Sequence, residues 1–542
     1  MSTAFGQCLA NSLMRLLPPQ EGESIELKAA VGALGDALAK GELGLNLEAE
    51  APDGLDGTRW PGPLVKALKD CGWLVTAAEQ ALHPEAPIIQ DGCWLRWRRW
   101  YQLLSEALDQ LVTLGSTPVA TLPSKQQRSA ARHRAEVAGL DHQQCNAVLA
   151  LLERRLVVLM GGPGTGKTST VVQMLAAALD QNPNLRIGLA APTGKAAARL
   201  QQAVASGSHT LKPATSESLR SLTSSTLHRL LESQGESRFR RNRALPLELD
   251  LLVVDEVSMV DLPLMTALLD ALPDRAQLLL VGDPHQLPPV GPGAVLQELT
   301  HPERLQQLGE AAVELRTTYR NNGAIAALAS HLRQTDAALE AAQLSRLQDD
   351  DNVVWLKAQR QRPPTQLLER LRTHQQQLRT LAEGLRWQDE QPNPDDADAL
   401  LHQLEAWIAL SPVRQGPWGV ETLNRVLLGD LGNRSVQHWP EGTPVLNRLN
   451  RPDQGLSNGD IGVVIRRHRQ PWVLLPGPRL LHPAQLSGAE PAFALTVHKS
   501  QGSQYTEVAL LLPPLRHQEP RLVYTGLTRA RSKVLLITPS EP

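Results

Sequence analysis

The sequence predicts an α/β protein with two parallel sheets. From about residue 140 the chain alternates short apolar strands with polar or glycine-rich turns and helical stretches, in the segments RLVVLM, RIGLAA, LDLLVVD and QLLLVGD. A second strand-rich region runs from about residue 350 to the end and includes WIALSPV, EVALLLP and KVLLITP. Strands that are apolar on both faces are typical of parallel sheets covered by helices on each side.

Length and composition limit the class of protein. A chain of 542 residues is long enough for about two to four domains that each bury a core. The hydrophobic fraction of 42% and the charged fraction of 20% are those of a globular protein, and the net charge of -2 excludes a protein that coats nucleic acid through bulk positive charge. The chain has no run of about 18 apolar residues and no recognisable secretory signal, so we expect a cytoplasmic protein without membrane contact.

Changes in hydrophobic patterning along the sequence predict three domains. Residues 1–138 carry helical patterning, as in LKAAVGALGDALAKGELG and LRWRRWYQLLSEALDQLV, and predict a mainly helical N-terminal domain. The two α/β domains are predicted at 139–325 and 326–542. Within the second, short strands broken by Gly and Pro over 443–488 predict a small β-barrel insertion, and the segment QPNPDDAD over 391–398 is predicted to be a surface loop.

A glycine-rich segment predicts a nucleotide site. GGPGTGKT, over 161–168, fulfils the pattern G-x-x-x-x-G-K-[ST] between an apolar strand and a helical stretch. Its glycines let backbone N–H groups wrap a phosphate that a Cβ would obstruct, and the next helix directs its N-terminus at the negative charge. We expect Lys167 to reach the β- and γ-phosphates of ATP and Thr168 to bind magnesium. The predicted ATP-binding residues of this P-loop are Gly161, Gly162, Pro163, Gly164, Thr165, Gly166, Lys167 and Thr168.

Two acidic residues, Asp255 and Glu256, follow the apolar strand LDLLVV. In a P-loop fold Asp255 is expected to hold the magnesium ion and Glu256 to accept a proton from the attacking water; the alternative is an acidic helix cap. Gln286, after the strand QLLLVGD, is expected to sense the γ-phosphate. Arg320 and Arg529 are candidates to stabilise the charge that builds up in phosphoryl transfer. Both can reach ATP only if the two α/β domains face each other across it.

Ten sequence blocks follow one another in a characteristic order. They are LDHQQ, GGPGTGKT, APTGKAAARL, STLHRLL, VVDEVSMVD, VGDPHQLPPVGPGAVL, LRTTYR, NGDIGVV, ALTVHKSQGSQY and YTGLTRAR, and the series spans about 140 to 540, roughly three quarters of the chain. The series resembles superfamily 1B helicases, and specifically the RecD family, the α subunits of bacterial exonuclease V (RecBCD). This resemblance implies two RecA-like P-loop domains. It extends, more weakly, to PIIQDGCWLRWRRWYQLLSEAL ahead of the motor.

The resemblance also implies site residues, position by position. Gln143 of LDHQQ corresponds to the residue that reads adenine, although the adjacent Gln144 leaves the register open. The residues implied to line or support a channel for single-stranded DNA are Thr193, Lys195, Thr226, His228, Asn458, Asp460, Thr496, His498 and Lys499. Hydroxyls and amides suit phosphate contacts, which position DNA without reading its sequence; the alternative for each residue is a structural cap. The segment 233–247 is similar to a pin-like hairpin of these helicases, with Phe239 as its apolar contact, and the alternative is a plain surface hairpin.

The function implied by the resemblance is that of an ATP-dependent 5′–3′ DNA helicase, the motor subunit of exonuclease V in double-strand break repair and homologous recombination. Its implied partners are DNA and RecB-like and RecC-like subunits, with the N-terminal domain docked on the γ subunit. Two alternatives stay open, a stand-alone RecD-like helicase and an ATP-switch subunit that does not translocate. Outside the ATP site the acidic residues do not form the cluster of a magnesium nuclease, so we expect no nuclease site in this chain.

Overall fold

The structure is a computed structural model. The residues it describes are 4–17, 25–52, 55, 57–235, 238–319, 323–335, 337–345, 352–449, 451, 454, 456–477 and 479–540. The described elements of the N-terminal region are α1 (Ala4–Leu16), α2 (Ile25–Ala39), β1 (Gly44–Asn46), α3 (Gly62–Asp70), β2 (Leu74–Thr76), β3 (Ile88–Asp91), β4 (Trp94–Trp97), α4 (Arg98–Ser116) and α5 (Lys125–Val137). Helices dominate this region, as predicted.

A small sheet in the N-terminal region was not predicted. Its strands pair in the order β1-β4-β3-β2. The sequence LRWRRWYQLLSEALDQLV reads as one helix, but β4 occupies its start and α4 begins only at Arg98. The helical period of α4 is nevertheless correct, because its buried residues Leu104, Leu108 and Leu111 lie on one face.

Two helices of the N-terminal region share the core of the P-loop sheet. Leu104, Leu108 and Leu111 of α4 pack in one hydrophobic cluster with residues of that sheet. Ala131 and Ala135 of α5 pack in the cluster on its other face. Residues before α4 form a core of their own around α2, α3 and the small sheet. The N-terminal region is therefore attached to the motor through the packing of α4 and α5.

The P-loop region contains a fully parallel sheet, as the apolar strands predicted. Its described elements are α6 (His142–Glu153), β5 (Leu156–Gly161), α7 (Lys167–Gln181), β6 (Ile187–Ala191), α8 (Gly194–Gly207), α9 (Pro213–Arg220), β7 (Ser224–Thr226), α10 (Leu227–Leu230), β8 (Leu251–Val254), α11 (Leu262–Ala271), β9 (Gln277–Gly282), α12 (Val295–Leu299), α13 (Pro302–Leu308) and β10 (Ala312–Leu315). The described strands pair in the order β10-β5-β9-β8-β6-β7. All of these pairs are parallel.

The C-terminal region contains the second parallel sheet. Its described elements are α14 (Ala324–Thr335), α15 (Ala341–Ser345), β11 (Val353–Ala358), α16 (Thr365–Glu383), β12 (Trp387–Gln388), β13 (Gln391–Pro392), α17 (Pro394–Leu404), β14 (Trp407–Ser411), α18 (Val420–Leu428), β15 (Pro444–Leu446), β16 (Ile461–Arg467), β17 (Gln470–Leu475), β18 (Arg479–Leu481), β19 (Glu490–Pro491), β20 (Ala494–Thr496), β21 (Tyr505–Leu511), α19 (Pro520–Leu527) and β22 (Ala530–Pro539). The parallel sheet has the order β11-β22-β21-β14-β20.

An antiparallel sheet interrupts this region where the barrel is predicted. Its described strands pair in the order β18-β17-β16-β15-β19, so β18 and β19 are its edges. Val464 and Val473 face a separate small core beneath this sheet, which also holds Trp439. The closure of the sheet into a barrel stays a prediction.

The segment QPNPDDAD is not a loop. Gln391 and Pro392 form β13, and α17 begins at Pro394. The side chain of Asn393 accepts hydrogen bonds from the backbone N–H groups of Asp395 and Asp396, so it caps the helix. Proline at the first helical position and acidic residues in the first turn are helix-start features, and the composition that suggested a loop encodes this start.

The segment predicted as a pin-like hairpin turns back on itself irregularly. The backbone of Gln234 donates to Arg238 and that of Arg240 donates to Glu232, at 2.8 and 3.2 Å. Phe239, the predicted apolar contact, packs against the protein. Its ring is half-buried against the core of the P-loop sheet and lies 6.0 Å from the His228 ring.

Among the described residues, no helix combines the length and the apolar character that crossing a membrane requires.

Candidate functional site

The P-loop connects the buried strand β5 to α7 at the carboxyl edge of the parallel sheet. Gly164 and Gly166 have φ angles of 78° and 79°, a left-handed backbone that glycine adopts without strain. Gly166 is the N-cap of α7, so the first N–H groups of that helix open towards the loop. The Thr165 hydroxyl donates to the Gly162 carbonyl at 2.8 Å and closes the loop. This is the concave cradle of N–H groups that phosphate binding requires.

Lys167 and Gln144 hold this loop from two sides. The Lys167 ammonium donates to the Gly162 carbonyl at 2.9 Å, so its charge stands over the cradle. The Gln144 amide donates to the Thr165 carbonyl at 3.2 Å, and its side chain is buried. Gln143 points elsewhere, because its side-chain oxygen accepts from the Arg316 backbone at 3.0 Å. The sequence left open which of the two glutamines belongs to the nucleotide site. In the structure it is Gln144 that contacts the P-loop.

Asp255 and Glu256 follow β8 at the same edge. Val254, the last residue of β8, pairs with Leu280 of β9, and β9 pairs with β5, so the three strand ends are neighbours. Burial raises the pKa of Asp255 to about 6, and the charge of Glu256 adds to this, while Lys167 opposes it. Glu256 has φ 53°, a left-handed conformation that is costly outside glycine.

Oxygen donors at this edge fit a hydrated magnesium ion. Mg²⁺ keeps several waters and is usually held by one or two carboxylates together with substrate phosphates. The half-buried Asp255 carboxylate and the exposed Thr168 at the start of α7 supply such donors. Within the described ranges, His, Cys, Asp and Glu form no group of three or more that could hold a metal without a substrate.

The C-terminal region contacts the P-loop region at this edge. The Tyr524 hydroxyl donates to Asp283 at 2.7 Å, and the Leu287 backbone donates to the Thr525 hydroxyl at 2.8 Å. A Cβ on Gly162 would stand 3.0 Å from the Tyr524 oxygen, so Tyr524 lies directly over the P-loop. The Gln501 amide donates to the Leu287 carbonyl at 3.0 Å. The two regions thus face each other across the predicted ATP site.

The remaining predicted catalytic residues differ in position. Gln286 is buried beside Asp283, and its amide nitrogen lies 3.4 Å from that carboxylate. Its side-chain oxygen has no hydrogen-bond partner among the residues that the structure describes. Arg529 is 2% exposed and donates to the carbonyls of Thr525 and Ser503 within its own region. Arg320 lies outside the described residues.

Sequence reasoning missed Tyr319 and Tyr524. The Tyr319 backbone donates to the Gly164 carbonyl at 2.8 Å, and its hydroxyl donates to Asp141 at 2.8 Å. Its ring is half exposed beside the loop, where a nucleotide base can stack. Both tyrosines lie within the blocks LRTTYR and YTGLTRAR. Their position in these blocks is the signal that could have identified them.

Another residue that the sequence did not single out is Arg199 of α8. Its guanidinium donates to the Gly502 carbonyl and to the Gln504 side chain, both at 2.9 Å. Burial lowers the pKa of Arg199, and the charges of Glu256 and Glu405 oppose this shift. Arg199 therefore links the acidic edge of the ATP site to the C-terminal region.

The three threonines among the DNA candidates cap helical turns. Thr193 accepts from the Ala196 backbone at 3.2 Å, Thr226 from that of Arg229 at 3.3 Å, and Thr496 from that of Lys499 at 3.3 Å. A capping hydroxyl still places open helical N–H groups beside it, which suits a phosphate. The cap and the phosphate contact are therefore compatible.

Several DNA candidates from the two regions lie together. A Cβ on Gly194, at the start of α8, would stand 2.5 Å from the Ser457 hydroxyl and 3.4 Å from Asp460. The Lys499 ammonium donates to the Asn458 side chain at 3.0 Å. Burial raises the pKa of Asp460, and its carboxylate accepts from the Ser457 backbone at 2.7 Å.

The two histidines favour the neutral ring, and the charge of Lys195 is paired. Burial lowers the pKa of His228 and of His498, which favours neutral rings. The Lys195 ammonium lies 3.3 Å from a carboxylate oxygen of Glu405, and only 16% of its side chain is exposed. Lys195 thus bridges the two regions.

Known protein families match both regions. Residues 144–292 match the family described as AAA domain, and residues 491–537 match the UvrD-like helicase C-terminal domain. The first match contains the P-loop and the acidic pair, and the second contains Lys499, Tyr524 and Arg529.

Relatives extend this similarity along the chain. The RecBCD enzyme subunit RecD of Mycolicibacterium smegmatis is 35% identical over 97% of this chain and 91% of its own length. The same subunit of Mycobacterium tuberculosis is 34% identical over 95% of this chain and 88% of its own length. The ATP-dependent RecD2 DNA helicase of Deinococcus radiodurans is 32% identical over 73% of this chain and 48% of its own length. By identity and coverage, the chain belongs to the RecD family.

Proposed function

We propose that this chain is an ATP-dependent DNA helicase, the motor subunit of a RecBCD-type complex, and that it moves 5′ to 3′ along a single strand in double-strand break repair and homologous recombination. One observation supports a motor most directly. The two parallel-sheet regions touch each other at the P-loop edge, through Tyr524 with Asp283 and Thr525 with Leu287. Nucleotide bound at this edge would alter the same contacts that hold the two regions together.

The proposed hydrolytic site is built from residues of the P-loop region and faces the C-terminal region. The P-loop and Lys167 bind the phosphates of ATP, and Gln144 supports the loop from behind. A magnesium ion held by Asp255 and Thr168 would neutralise phosphate charge. Glu256 takes the proton of the attacking water, and Gln286 monitors the terminal phosphate from its buried position.

Movement along DNA follows from the position of the candidate contacts. Thr193 and Thr226 belong to the P-loop region, whereas Asn458, Thr496 and Lys499 belong to the C-terminal region. When ATP binding closes the regions and hydrolysis reopens them, the two groups alternate their hold on the phosphates, so each cycle moves the strand by a step. Contacts of this kind are sequence-tolerant and weaken steeply with salt.

The N-terminal region is the part of the chain proposed to contact other subunits. The RecD subunits of Mycolicibacterium smegmatis and Mycobacterium tuberculosis are similar over 97% and 95% of this chain. The RecD subunit of Haemophilus influenzae and the RecD2 helicase are similar over 72% and 73%. The larger coverage must include residues ahead of the P-loop sheet, so this chain shares its N-terminal region with the first two subunits. We propose that this region contacts RecB-like and RecC-like subunits.

Strand separation on tailed duplexes tests the proposal. The purified chain, with and without its co-purified partners, is given ATP, magnesium and a duplex with either a 5′ or a 3′ single-stranded tail. The proposal expects DNA-stimulated ATP hydrolysis and unwinding of the 5′-tailed duplex. Unwinding of only the 3′-tailed duplex would contradict the 5′ to 3′ direction. A rate of ATP hydrolysis that does not increase when DNA is added would indicate a switch subunit that does not translocate.

Purification from the native host tests the complex. An affinity-tagged chain is expected to bring down two larger subunits together with ATP-dependent exonuclease activity. Recovery of the chain alone as a processive helicase would contradict the complex and favour a stand-alone enzyme.

A further inference from the structure

Arg333 stands over the P-loop although it belongs to none of the motifs. It lies near the end of α14, in the C-terminal region. Its Nη1 atom is 3.5 Å from the point where a Cβ on Gly162 would stand. A cavity of about 80 Å³ separates the two regions here, and its lining includes Gly162, Pro163, Arg333 and Tyr524. The guanidinium therefore approaches the phosphate cradle from across the interface.

The donors of Arg333 are not used within the described chain. Arg333 forms no hydrogen bond or ion pair with any residue that the structure describes, although it is partly buried. A guanidinium has five N–H donors in a planar fork that matches phosphate oxygens. Asp283, the acid nearest to Tyr524, already accepts the Tyr524 hydroxyl. A partly buried cation with unused donors beside a phosphate loop is suited to an anionic ligand.

Two other arginines near this cavity are engaged. Arg316 pairs with Glu314 at 3.0 Å. Arg529 is 2% exposed, and its guanidinium donates to the carbonyls of Thr525 and Ser503. Either would have to leave these partners before it could bind a phosphate, whereas Arg333 has no such partner among the described residues.

We propose that Arg333 contacts the terminal phosphate of the nucleotide bound at the P-loop. The inference rests on the proposed ATP hydrolysis and assigns to that site a catalytic residue from α14. Negative charge builds up on the transferred phosphoryl group in the transition state, and the Arg333 guanidinium stabilises that charge when the two regions are closed. Because the contact reaches only the third phosphate, it also distinguishes ATP from ADP.

Steady-state ATP hydrolysis tests this role, with single-stranded DNA present. The variants are Arg333→Gln, which removes the charge, and Arg333→Lys, which keeps the charge but loses the planar fork. We expect Arg333→Gln to lower kcat by about 10²-fold, as for the loss of one transition-state donor, with a smaller change in KM. Arg333→Lys is expected to recover part of kcat. Arg372→Gln, an exposed arginine of α16 on the same region, serves as the matched control and is expected to behave as wild type.

The affinities for ATP and ADP separate a phosphate contact from a structural role. Loss of a merely structural residue would not weaken the binding of one nucleotide and spare the other. Arg333→Gln is expected to weaken binding of a non-hydrolysable ATP analogue by about tenfold, the loss of one charge-assisted contact, and to leave ADP affinity unchanged. Equal losses for both nucleotides, or a kcat within about twofold of wild type, would overturn the assignment. If the wild-type chain does not hydrolyse ATP with DNA, the proposed function itself fails, and this outcome is distinct from an active wild type with an unaffected variant.

Discussion

The ammonium of Lys195 and the carboxylate of Glu405 lie 3.3 Å apart and join the P-loop region to the C-terminal region. Glu405 also lies 3.5 Å from Arg531, and Lys195 stands 5.6 Å from the centre of the Tyr505 ring. Burial lowers the pKa of Lys195, while the charge of Glu405 opposes this shift. The family resemblance implied a DNA contact for this lysine, but in the structure its charge is already paired.

The salt dependence of DNA binding distinguishes the two roles of Lys195. Each lysine that neutralises a phosphate of single-stranded DNA contributes about 0.7 to the slope of log affinity against log salt concentration. We expect Lys195→Met to leave that slope unchanged, because Glu405 holds the ammonium. Lys499→Met, at a lysine next to Asn458 in the proposed channel, is expected to reduce the slope by about 0.7. An equal reduction in both variants would show that Lys195 contacts a phosphate.

Two adjacent glutamines make a second comparison. Gln144 donates to the Thr165 carbonyl of the P-loop, whereas Gln143 accepts from the Arg316 backbone. We expect Gln144→Ala to raise the KM for ATP about tenfold, which corresponds to the loss of about one buried hydrogen bond. Gln143→Ala is expected to change it by less than about twofold. A larger increase in the KM for ATP in Gln143→Ala than in Gln144→Ala, measured by steady-state ATP hydrolysis, would favour Gln143 as the residue that reads adenine.

The stability of the C-terminal region is expected to depend on the protonation of His374. Burial lowers the pKa of this ring from 6.5 to about 4, and the nearby Arg370 adds to the shift. The folded state therefore keeps the ring neutral, while the unfolded chain binds a proton below pH 6.5. Stability is complete above that pH and decreases as pH falls towards 4, by about 2 kcal/mol between pH 7.5 and 5.

Urea unfolding at the two pH values measures this effect. Wild type is expected to lose about 2 kcal/mol more than His374→Gln between pH 7.5 and 5, because the variant has no proton to bind at that position. Other histidines with a lowered pKa, such as His228 and His498, titrate equally in both proteins and cancel in the comparison. The same pH dependence in both proteins would contradict the buried neutral ring.

The parts of the molecule that local sequence encodes were predictable. Apolar strands predicted the two parallel sheets, because strands buried on both faces leave continuous apolar runs. The P-loop and the acidic pair were found because their chemistry needs fixed residues at fixed spacing. The prediction of a loop for QPNPDDAD was wrong. Asn and Pro are common both in loops and at the start of a helix, and here Asn393 and Pro394 start α17.

Contacts between distant parts of the chain were not predictable. Tyr524 meets Asp283, and Arg333 meets Gly162, only after the two regions fold and face each other. Nothing in the spacing around Arg333 indicates this position, because α14 reads as an ordinary amphipathic helix. The pairing of Lys195 with Glu405 was hidden for the same reason.

Comparison of wild type with Lys167→Gln tests the central claim most directly. ATP hydrolysis, unwinding of a 5′-tailed duplex and binding of single-stranded DNA are measured on the same preparations. Because the Lys167 ammonium stands over the phosphate cradle, the account predicts that the variant loses hydrolysis and unwinding but keeps DNA binding. DNA-stimulated hydrolysis retained in Lys167→Gln would contradict an ATP-driven motor built on this P-loop.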